Sequence, residues 1–257
     1  MSAPFTPHFE VLPAQQRRVW PGLQPVTRLG FVLYGGTAIA LRLGNRQSVD
    51  FDFFSDRPLD KATLRAALAP LGPAATLLDR PDTLSVSLQS TSDSGADAPV
   101  NLSFFGGMQF GRVGEPDISS DGVLQVASLL DLMATKLAVI TQRAEAKDYR
   151  DLAALLRAGM NLPEGLGAAR ALYGVSFQPT ESLRALTYFG DGNLDTVGSA
   201  ERAALVRAST EVRHIPEVGV VSRVLSSSPA RESSAPPNRP AGRIPPRKPA
   251  RDGDLEL

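Results

Sequence analysis

Residues 31–54, which read FVLYGGTAIALRLGNRQSVDFDFF, decide the fold. A short apolar run ends at two glycines, which is typical of a buried strand that turns sharply. Thr37 then suits a helix N-cap, residues 38–43 favour a helix, and Gly44 is placed to end that helix. Residues 48–54 alternate between polar and apolar side chains, which indicates a half-buried strand. The stretch therefore predicts a strand, a tight turn, a helix and a second strand.

Two aspartates, Asp50 and Asp52, stand one residue apart on the second strand. Side chains two positions apart on a strand share a face, so both carboxylates can reach one cluster of hard cations. Mg²⁺, or Mn²⁺ in its place, prefers oxygen ligands and is usually held by carboxylates together with substrate phosphates. The alternative is a solvated strand face with two incidental acids, and the acid pair alone does not decide between them.

The turn Gly35-Gly36-Thr37 adds a second chemical device. A glycine turn at a helix N-terminus exposes backbone N–H groups and the positive end of the helix dipole, which suits a phosphate. Thr37 can add a hydroxyl donor to that phosphate. Taken alone, the turn is equally an ordinary strand-to-helix connection. Turn, helix and acid pair together, within residues 35–52, predict a site for a nucleoside triphosphate and a metal ion.

Five other charged residues have two interpretations each. Arg46 lies just outside the helix and close to the aspartates, which favours a contact with phosphate, whereas Arg42 is equally well explained as solvent-exposed helix charge. Lys136 falls on the apolar stripe of a predicted helix, where a lysine must meet an anion or reach solvent. Asp148 and Asp151 fit the N-cap and N3 positions of a helix, and Asp148 is alternatively a further acid at the site.

The composition excludes several classes of protein. The chain has 257 residues, 42% of them apolar, enough for a sizeable core in one or two domains. It has no cysteine and two histidines, which excludes disulfides, thiol nucleophiles and a histidine-rich metal site. Its 27 basic and 27 acidic residues give no global basic field for nucleic acid, although a local groove is possible. Neither a signal peptide nor a membrane span is indicated, so we expect a cytoplasmic protein.

Three segments are predicted along the chain. Residues 1–112 should form a core with a small sheet of about four strands, residues 113–225 a helical half, and residues 226–257 a disordered tail rich in proline, serine and arginine. Two of the strands, at 83–89 and 100–105, should flank a polar surface loop, TSDSGADA.

The stretch GGTAIALRLGNRQSVDFDFFS, followed by KLAVITQRAEAKDYRDLAALL, resembles the AbiEii/AbiGii-type nucleotidyltransferase toxin family over about residues 8–160. The first motif joins two glycines and a hydroxyl residue, a helix, an arginine and D-x-D in fixed order. The second adds a lysine and an R/K-D-x-x-D helix start. The resemblance implies an α+β fold with a polymerase-β-like nucleotidyltransferase core, a small mixed sheet with helices, followed by a helical C-terminal half.

The same resemblance implies a biological setting and residue roles. Family members act as toxins in abortive-infection (phage-defence) or toxin–antitoxin systems, and some transfer nucleotides from an NTP to the 3′ end of tRNA. A cognate antitoxin is then an expected partner. Position by position, the match assigns the phosphate-binding turn to Gly36 and Thr37, the metal ligands to Asp50 and Asp52, the site lysine to Lys136 and the acid of the last motif to Asp148.

Two departures from the family pattern matter. Asn45 stands where close relatives often have histidine. Many polymerase-β-like enzymes place a third acid on a later strand, but residues 100–105 read VNLSFF and contain no carboxylate. Either Asp148 substitutes for that acid, or metal binding is weaker.

Three functions are consistent with these residues. The first is a Mg²⁺-dependent nucleotidyltransferase in which Gly35 to Thr37 cradle the β- and γ-phosphates, Arg46 and Lys136 neutralise developing charge, and the acceptor is a hydroxyl such as an RNA 3′ end. The second is a non-catalytic nucleotide-binding regulatory module, which the missing third acid favours. The third is a transferase that modifies a small molecule or a protein hydroxyl, which is compatible with the balanced net charge.

Overall fold

The computed structural model describes residues 4–89 and 98–227. In these ranges the strands are β1 Val32–Tyr34, β2 Asp50–Phe54, β3 Ala74–Arg80, β4 Thr83–Leu88, β5 Val100–Phe105, β6 Asp117–Ile118 and β7 Gln125–Val126. The α-helices are α1 Ala14–Val19, α2 Gln24–Arg28, α3 Gly35–Leu43, α4 Lys61–Leu68, α5 Leu129–Val139, α6 Ala146–Arg157, α7 Leu162–Tyr173, α8 Pro179–Ala185 and α9 Ser199–Glu211. Nearly all of the predicted loop TSDSGADA, and the tail from residue 228, lie outside the described residues.

The described strands form one mixed sheet in the order β3-β4-β5-β2-β1-β7-β6. β1 pairs antiparallel with β2, β2 pairs parallel with β5, and β1 pairs parallel with β7. A mixed sheet with helices was predicted, but with about four strands instead of these seven. The predicted strands near 83–89 and 100–105 are confirmed as β4 and β5. The three that were missed give weak signals, because β3 is exposed along its whole length and β6 and β7 have two residues each.

Buried phenylalanines of β2 and β5 pack on the face of the sheet opposite the aspartates. Phe51 and Phe53 of β2 are fully buried, and Phe53 stacks on Phe104 of β5. Trp20 packs nearby against Phe51, and its indole N–H donates to Asp121 at 2.7 Å. The alternation of the D-F-D-F stretch thus sends the aromatic rings to the core and the carboxylates to the other side.

The turn into α3 differs from the prediction in one respect. The helix begins at Gly35, its N-cap is Tyr34, and no side chain in the described residues caps it, so the prediction of Thr37 as N-cap is wrong. Gly35 has φ +73, a left-handed conformation that lets the strand enter the helix directly. Gly44 ends the helix with φ +62, as predicted. β2 starts at Asp50, two residues later than expected, and leaves Val49 55% exposed.

The helical half begins later than the predicted boundary suggests. β6 and β7 lie beyond residue 112 and extend the sheet, so the segment 113–225 also contributes strands. Contacts join the chain as far as Ser227 into one compact unit. α5 and α6 pack against α3, which brings the second sequence motif onto the first. Among the helices of the described residues, none is long and apolar enough to cross a bilayer.

Candidate functional site

The two aspartates and the two glycines line one cleft of about 780 Å³. Asp52 on β2 pairs with Tyr34 on β1, the residue that precedes the turn. A Cβ added to Gly35 would overlap the Asp52 carboxylate, and the positive φ disfavours a side chain there in any case. Strand pairing therefore places the acid pair and the glycine turn against each other, as the sequence predicts.

The carboxylate pair has the donor chemistry of a divalent-cation site. Burial, and then the negative charge of Asp50, raise the pKa of Asp52, and Lys136, Lys147 and Arg143 only partly oppose these effects. Two half-buried oxygen-donor groups that repel each other suit a hard cation between them. These residues thus fit the Mg²⁺ or Mn²⁺ that the family implies.

The neighbouring strand supplies neutral side chains where a third acid would stand. Asn101 lies opposite Asp50 in the parallel register of β2 and β5, and Ser103 lies opposite Asp52. The Asn101 amide donates to Asp50 Oδ1 at 3.1 Å. Within the described part of the chain, no group of three or more acidic or histidine side chains is arranged to hold a metal.

Thr37 has a structural role that the sequence did not reveal. Its hydroxyl is fully buried, donates to the backbone oxygen of Asp50, and lies 2.8 Å from Ser48 Oγ. It does not line the cleft, so its proton is committed to the start of β2 and not to a phosphate. Thr37 therefore ties α3 to the strand that carries the acids.

Lys136 and Asp148 meet at the base of the cleft, where α5 and α6 pack together. Lys136 Nζ lies 2.6 Å from Asp148 Oδ1 and 2.9 Å from Asp151 Oδ2, and Arg143 Nε donates to Asp148 Oδ2 at 3.0 Å. Burial alone raises the pKa of Asp148, but Lys136 and Arg143 outweigh burial and hold that pKa below its usual value. Asp148 thus supports Lys136 and does not complete a cluster with Asp50 and Asp52. Its prediction as a helix N-cap is also wrong, because Glu145 takes that position.

The two arginines of the first motif lie in different places in the structure. Arg46 lines the cleft and forms a two-bond pair with Asp151, a partner that the sequence did not predict, and its contact with phosphate stays a prediction. Arg42 points away from the cleft, donates to the backbone oxygens of Val126 and Ala127 at 2.8 Å each, and pairs with Asp117 at 2.9 Å. Arg42 is therefore neither a phosphate contact nor a solvent-exposed charge, but a tie between α3 and β6–β7.

Three charged residues near the site were not predicted as functional. Arg143 and Lys147 line the cleft and are about half exposed, and Asp151 is buried behind Arg46. Asp148 and Asp151 are three residues apart, so they share one face of the helix. This spacing could have indicated that both acids face the site, but it was interpreted as helix capping. Arg143 and Lys147 gave no such signal, because basic residues near a helix start are common on protein surfaces.

The far end of the cleft is apolar. Phe54 and Phe105 are the next cross-strand pair on the same sheet face as Asp52 and Ser103. Their rings meet edge to face, with 5.2 Å between the ring centroids. Phe110 and Tyr173 also line this end. The cleft therefore combines acids, cations and aromatic side chains, which suits a ligand with both phosphates and a ring.

The sequence matches a known protein family and a curated relative. Residues 24–216 match the family model described as "Nucleotidyl transferase AbiEii toxin, Type IV TA system". An uncharacterized protein of Aquifex aeolicus (strain VF5) is 31% identical over an alignment of 141 residues that covers 52% of this chain and 64% of that protein. The match thus spans less than two thirds of the length of this curated relative.

A solved structure shares the fold. MenT4, a nucleotidyltransferase toxin from Mycobacterium tuberculosis H37Rv, superimposes with a TM-score of 0.57 at 14% identity, covering 77% of this chain and 83% of that one. The likeness confirms the predicted nucleotidyltransferase fold. Since the family model covers three quarters of the residues and both motifs, the chain belongs to the AbiEii family of nucleotidyltransferase toxins.

Proposed function

We propose that this protein transfers a nucleotidyl group from an NTP to a hydroxyl acceptor. The observation that carries the proposal is the shared cleft, in which Asp50 and Asp52 face the uncapped helix start at Gly35 and Gly36. Membership of a nucleotidyltransferase toxin family supports the same chemistry. In the reaction, the acceptor hydroxyl gives up its proton to solvent and its oxygen bonds to the α-phosphorus, while the bond from the α-phosphorus to the oxygen that bridges it to the β-phosphate breaks and pyrophosphate leaves.

Each part of the cleft has a role in this proposal. Asp50 and Asp52 would hold Mg²⁺ or Mn²⁺, which when bound supplies Lewis-acid stabilisation of phosphoryl charge. The free N–H groups of the first turn of α3 would bind the β- and γ-phosphates. Arg46 and Lys136 would compensate the negative charge that grows on the transferred group and on pyrophosphate.

The acceptor that the cleft favours is the 3′ end of an RNA, with tRNA as the specific proposal. Four cations line the cleft, Arg46, Lys136, Arg143 and Lys147, and the last two are accessible at its mouth. Basic side chains beside aromatic ones suit a single-stranded end with phosphates and bases. On this proposal the protein acts in the cytoplasm as a toxin, in phage defence, and a cognate antitoxin neutralises it.

A second candidate is a non-catalytic nucleotide-binding module. The observation that favours it is the pair of neutral residues, Asn101 and Ser103, opposite the two acids. On this alternative the protein binds an NTP with Mg²⁺ and releases no pyrophosphate with any acceptor.

The test is nucleotide transfer by the Asp52→Asn variant. Each labelled NTP is incubated with wild type and variant, with Mg²⁺ or Mn²⁺, and with separate RNA, protein and small-molecule fractions. We expect wild type to label RNA and the variant to lose transfer entirely. The variant should melt no lower than wild type without metal, because it removes a carboxylate whose pKa burial and Asp50 raise.

The matched control is Asp60→Asn, which changes an exposed N-cap of α4 and leaves the cleft intact. It should keep full transfer. Full transfer by Asp52→Asn would contradict the proposal, and NTP binding by wild type without pyrophosphate release would support the non-catalytic module. Label in the protein or small-molecule fraction alone would replace RNA as the acceptor.

A further inference from the structure

Asp151 is completely buried on α6, and three side chains share its carboxylate. Oδ1 accepts hydrogen bonds from Arg46 Nε at 2.7 Å and from Asn45 Nδ2 at 3.3 Å. Oδ2 accepts a bond from Arg46 Nη2 at 2.8 Å and lies 2.9 Å from Lys136 Nζ. Two parallel bonds between a carboxylate and a guanidinium fix the plane and the direction of the arginine. Asp151 therefore determines where the Arg46 guanidinium lies.

That guanidinium lies directly against the turn that begins α3. A Cβ added to Gly36 would overlap Arg46 Nη2 and would lie 3.4 Å from Asp151 Oδ2. The other terminal nitrogen, Nη1, donates to the backbone oxygen of Gln47 at 2.9 Å. An arginine carries more N–H donors than these three bonds use, so donors remain for an anion in the cleft that Arg46 and Gly36 both line.

We propose that Asp151 is a positioning residue for nucleotide binding, which sets the Arg46 guanidinium against Gly36 before the triphosphate arrives. The inference rests on the proposed function, since it assigns the triphosphate to this end of the cleft. Asp151 does not line the cleft, and of the two cleft-lining cations that it contacts it holds Arg46 by two bonds and Lys136 by one. A donor already fixed in place loses less conformational freedom on binding, which strengthens binding without a new contact.

The competing account is charge compensation alone. A buried aspartate beside a lysine and an arginine stabilises the fold whether or not a nucleotide binds, and its removal is costly. On that account, loss of Asp151 lowers the melting temperature and leaves nucleotide affinity unchanged in the folded protein. The two accounts therefore differ in whether the effect on affinity depends on Arg46.

A double-mutant cycle separates them. The dissociation constant of a non-hydrolysable NTP analogue with Mg²⁺ is measured by calorimetry for wild type, Asp151→Asn, Arg46→Ala and the double variant. We expect Asp151→Asn to weaken binding about tenfold in wild type and to have no further effect in the Arg46→Ala background. The exposed-cap control Asp60→Asn should leave both the melting temperature and the affinity close to those of wild type, because asparagine caps a helix about as well as aspartate.

The variant Arg46→Lys keeps the inference testable if Asp151→Asn does not fold. Lysine keeps the charge beside Asp151 but cannot form both bonds, so its geometry is no longer fixed. We expect it to weaken analogue binding about as much as Asp151→Asn does.

Three outcomes overturn the inference, and they are distinguishable. An equal effect of Asp151→Asn with and without Arg46, or wild-type affinity in Arg46→Lys, refutes the positioning role while the proposed function stands. Absence of analogue binding by wild type itself refutes both.

Discussion

At the scale of single residues, the four aspartates of the site fall into two pairs with different surroundings. Asp148 and Asp151 are buried and bonded to cations, which they orient. Asp50 and Asp52 share a strand face in the cleft, and the pKa of Asp52 is raised. All four residues are aspartates, so their roles differ only because their partners differ. A carboxylate bonded to a lysine or an arginine orients that side chain, whereas a carboxylate in the cleft without such a partner can bind a cation.

The first expectation at this scale concerns Asn101, which bonds Asp50 across the strands. The variant Asn101→Asp places a third carboxylate opposite Asp50, which should lower the melting temperature without divalent cations because like charges repel across strands. Mg²⁺ binds the folded state, so it should raise the melting temperature of this variant more than that of wild type.

Thermal unfolding in chelator and in Mg²⁺ measures both effects. Asn101→Ser removes the same bond without adding charge, so its response to Mg²⁺ should not exceed that of wild type. A response of Asn101→Asp equal to that of wild type would show that position 101 does not share a cation with Asp50.

The second expectation concerns pH and Asp148. Lys136 and Arg143, opposing burial, hold the folded-state pKa of Asp148 below its unfolded value. The ionised carboxylate therefore stabilises the fold above the unfolded pKa, and this stability is lost as the pH falls through the folded pKa.

Asp148→Asn should lower the free energy of unfolding by about 3 kcal/mol at pH 7, because it breaks a buried charge pair. The difference from wild type should begin to shrink below about pH 4, where the carboxyl of the unfolded wild-type chain takes up a proton, and should continue to shrink as the pH falls through the lowered folded-state pKa. Urea unfolding at a series of pH values measures it, and a difference that stays constant down to pH 3 or so would be inconsistent with this pairing.

At the scale of elements, the strand–turn–helix–strand unit followed from local chemistry. The glycine turn, the apolar run of α3, the stop at Gly44 and the alternation of β2 each gave a local signal. Thr37 was misassigned because the helix starts at Gly35, with φ +73, three residues earlier than predicted. The start of a short helix decides which face a given side chain lies on. Here the start depends on the backbone angle φ of Gly35.

An experiment at this scale addresses Thr37 directly. Thr37→Val removes the hydroxyl that donates to the start of β2, and should lower the free energy of unfolding by about 1–2 kcal/mol because a buried acceptor loses its partner. Analogue affinity should be unchanged in the folded variant. Thr37→Ser keeps the donor and should lose only about 0.8 kcal/mol in urea unfolding, the contribution of one buried methyl group. A loss of affinity in Thr37→Val without loss of stability would instead place the hydroxyl on the phosphate.

At the scale of the whole molecule, the sheet runs across the predicted boundary at residue 112. β7 pairs with β1, and Arg42 of α3 bonds the backbone beside β7 and pairs with Asp117. α5 then places Lys136 in the cleft, and α6 places Asp151 behind it, in contact with Lys136 and Arg46. The division into residues 1–112 and 113–225 remains a prediction about independent folding.

A fragment experiment tests that division. Residues 1–112 alone lack β7 and the partners of Arg42, so we expect no cooperative thermal unfolding by circular dichroism. A chain ending at Ser227, where the compact unit ends, should melt like the full chain. A cooperative transition in the short fragment would establish the first segment as a domain.

The sequence by itself determined the fold class, the acid pair and the turn that faces it, because both motifs lie within short stretches where strand and helix periods are legible. It did not determine the partners of Lys136, Arg46 and Arg42, which lie 12 to 105 positions away along the chain. Only tertiary packing decides such pairs, since a charged side chain carries no local mark of the opposite charge that it will meet. The packing of α6 against α3 brings Asp151 to Arg46. Asp151, which the sequence predicted at the N3 position of a helix, therefore positions an arginine that lies against the glycine turn.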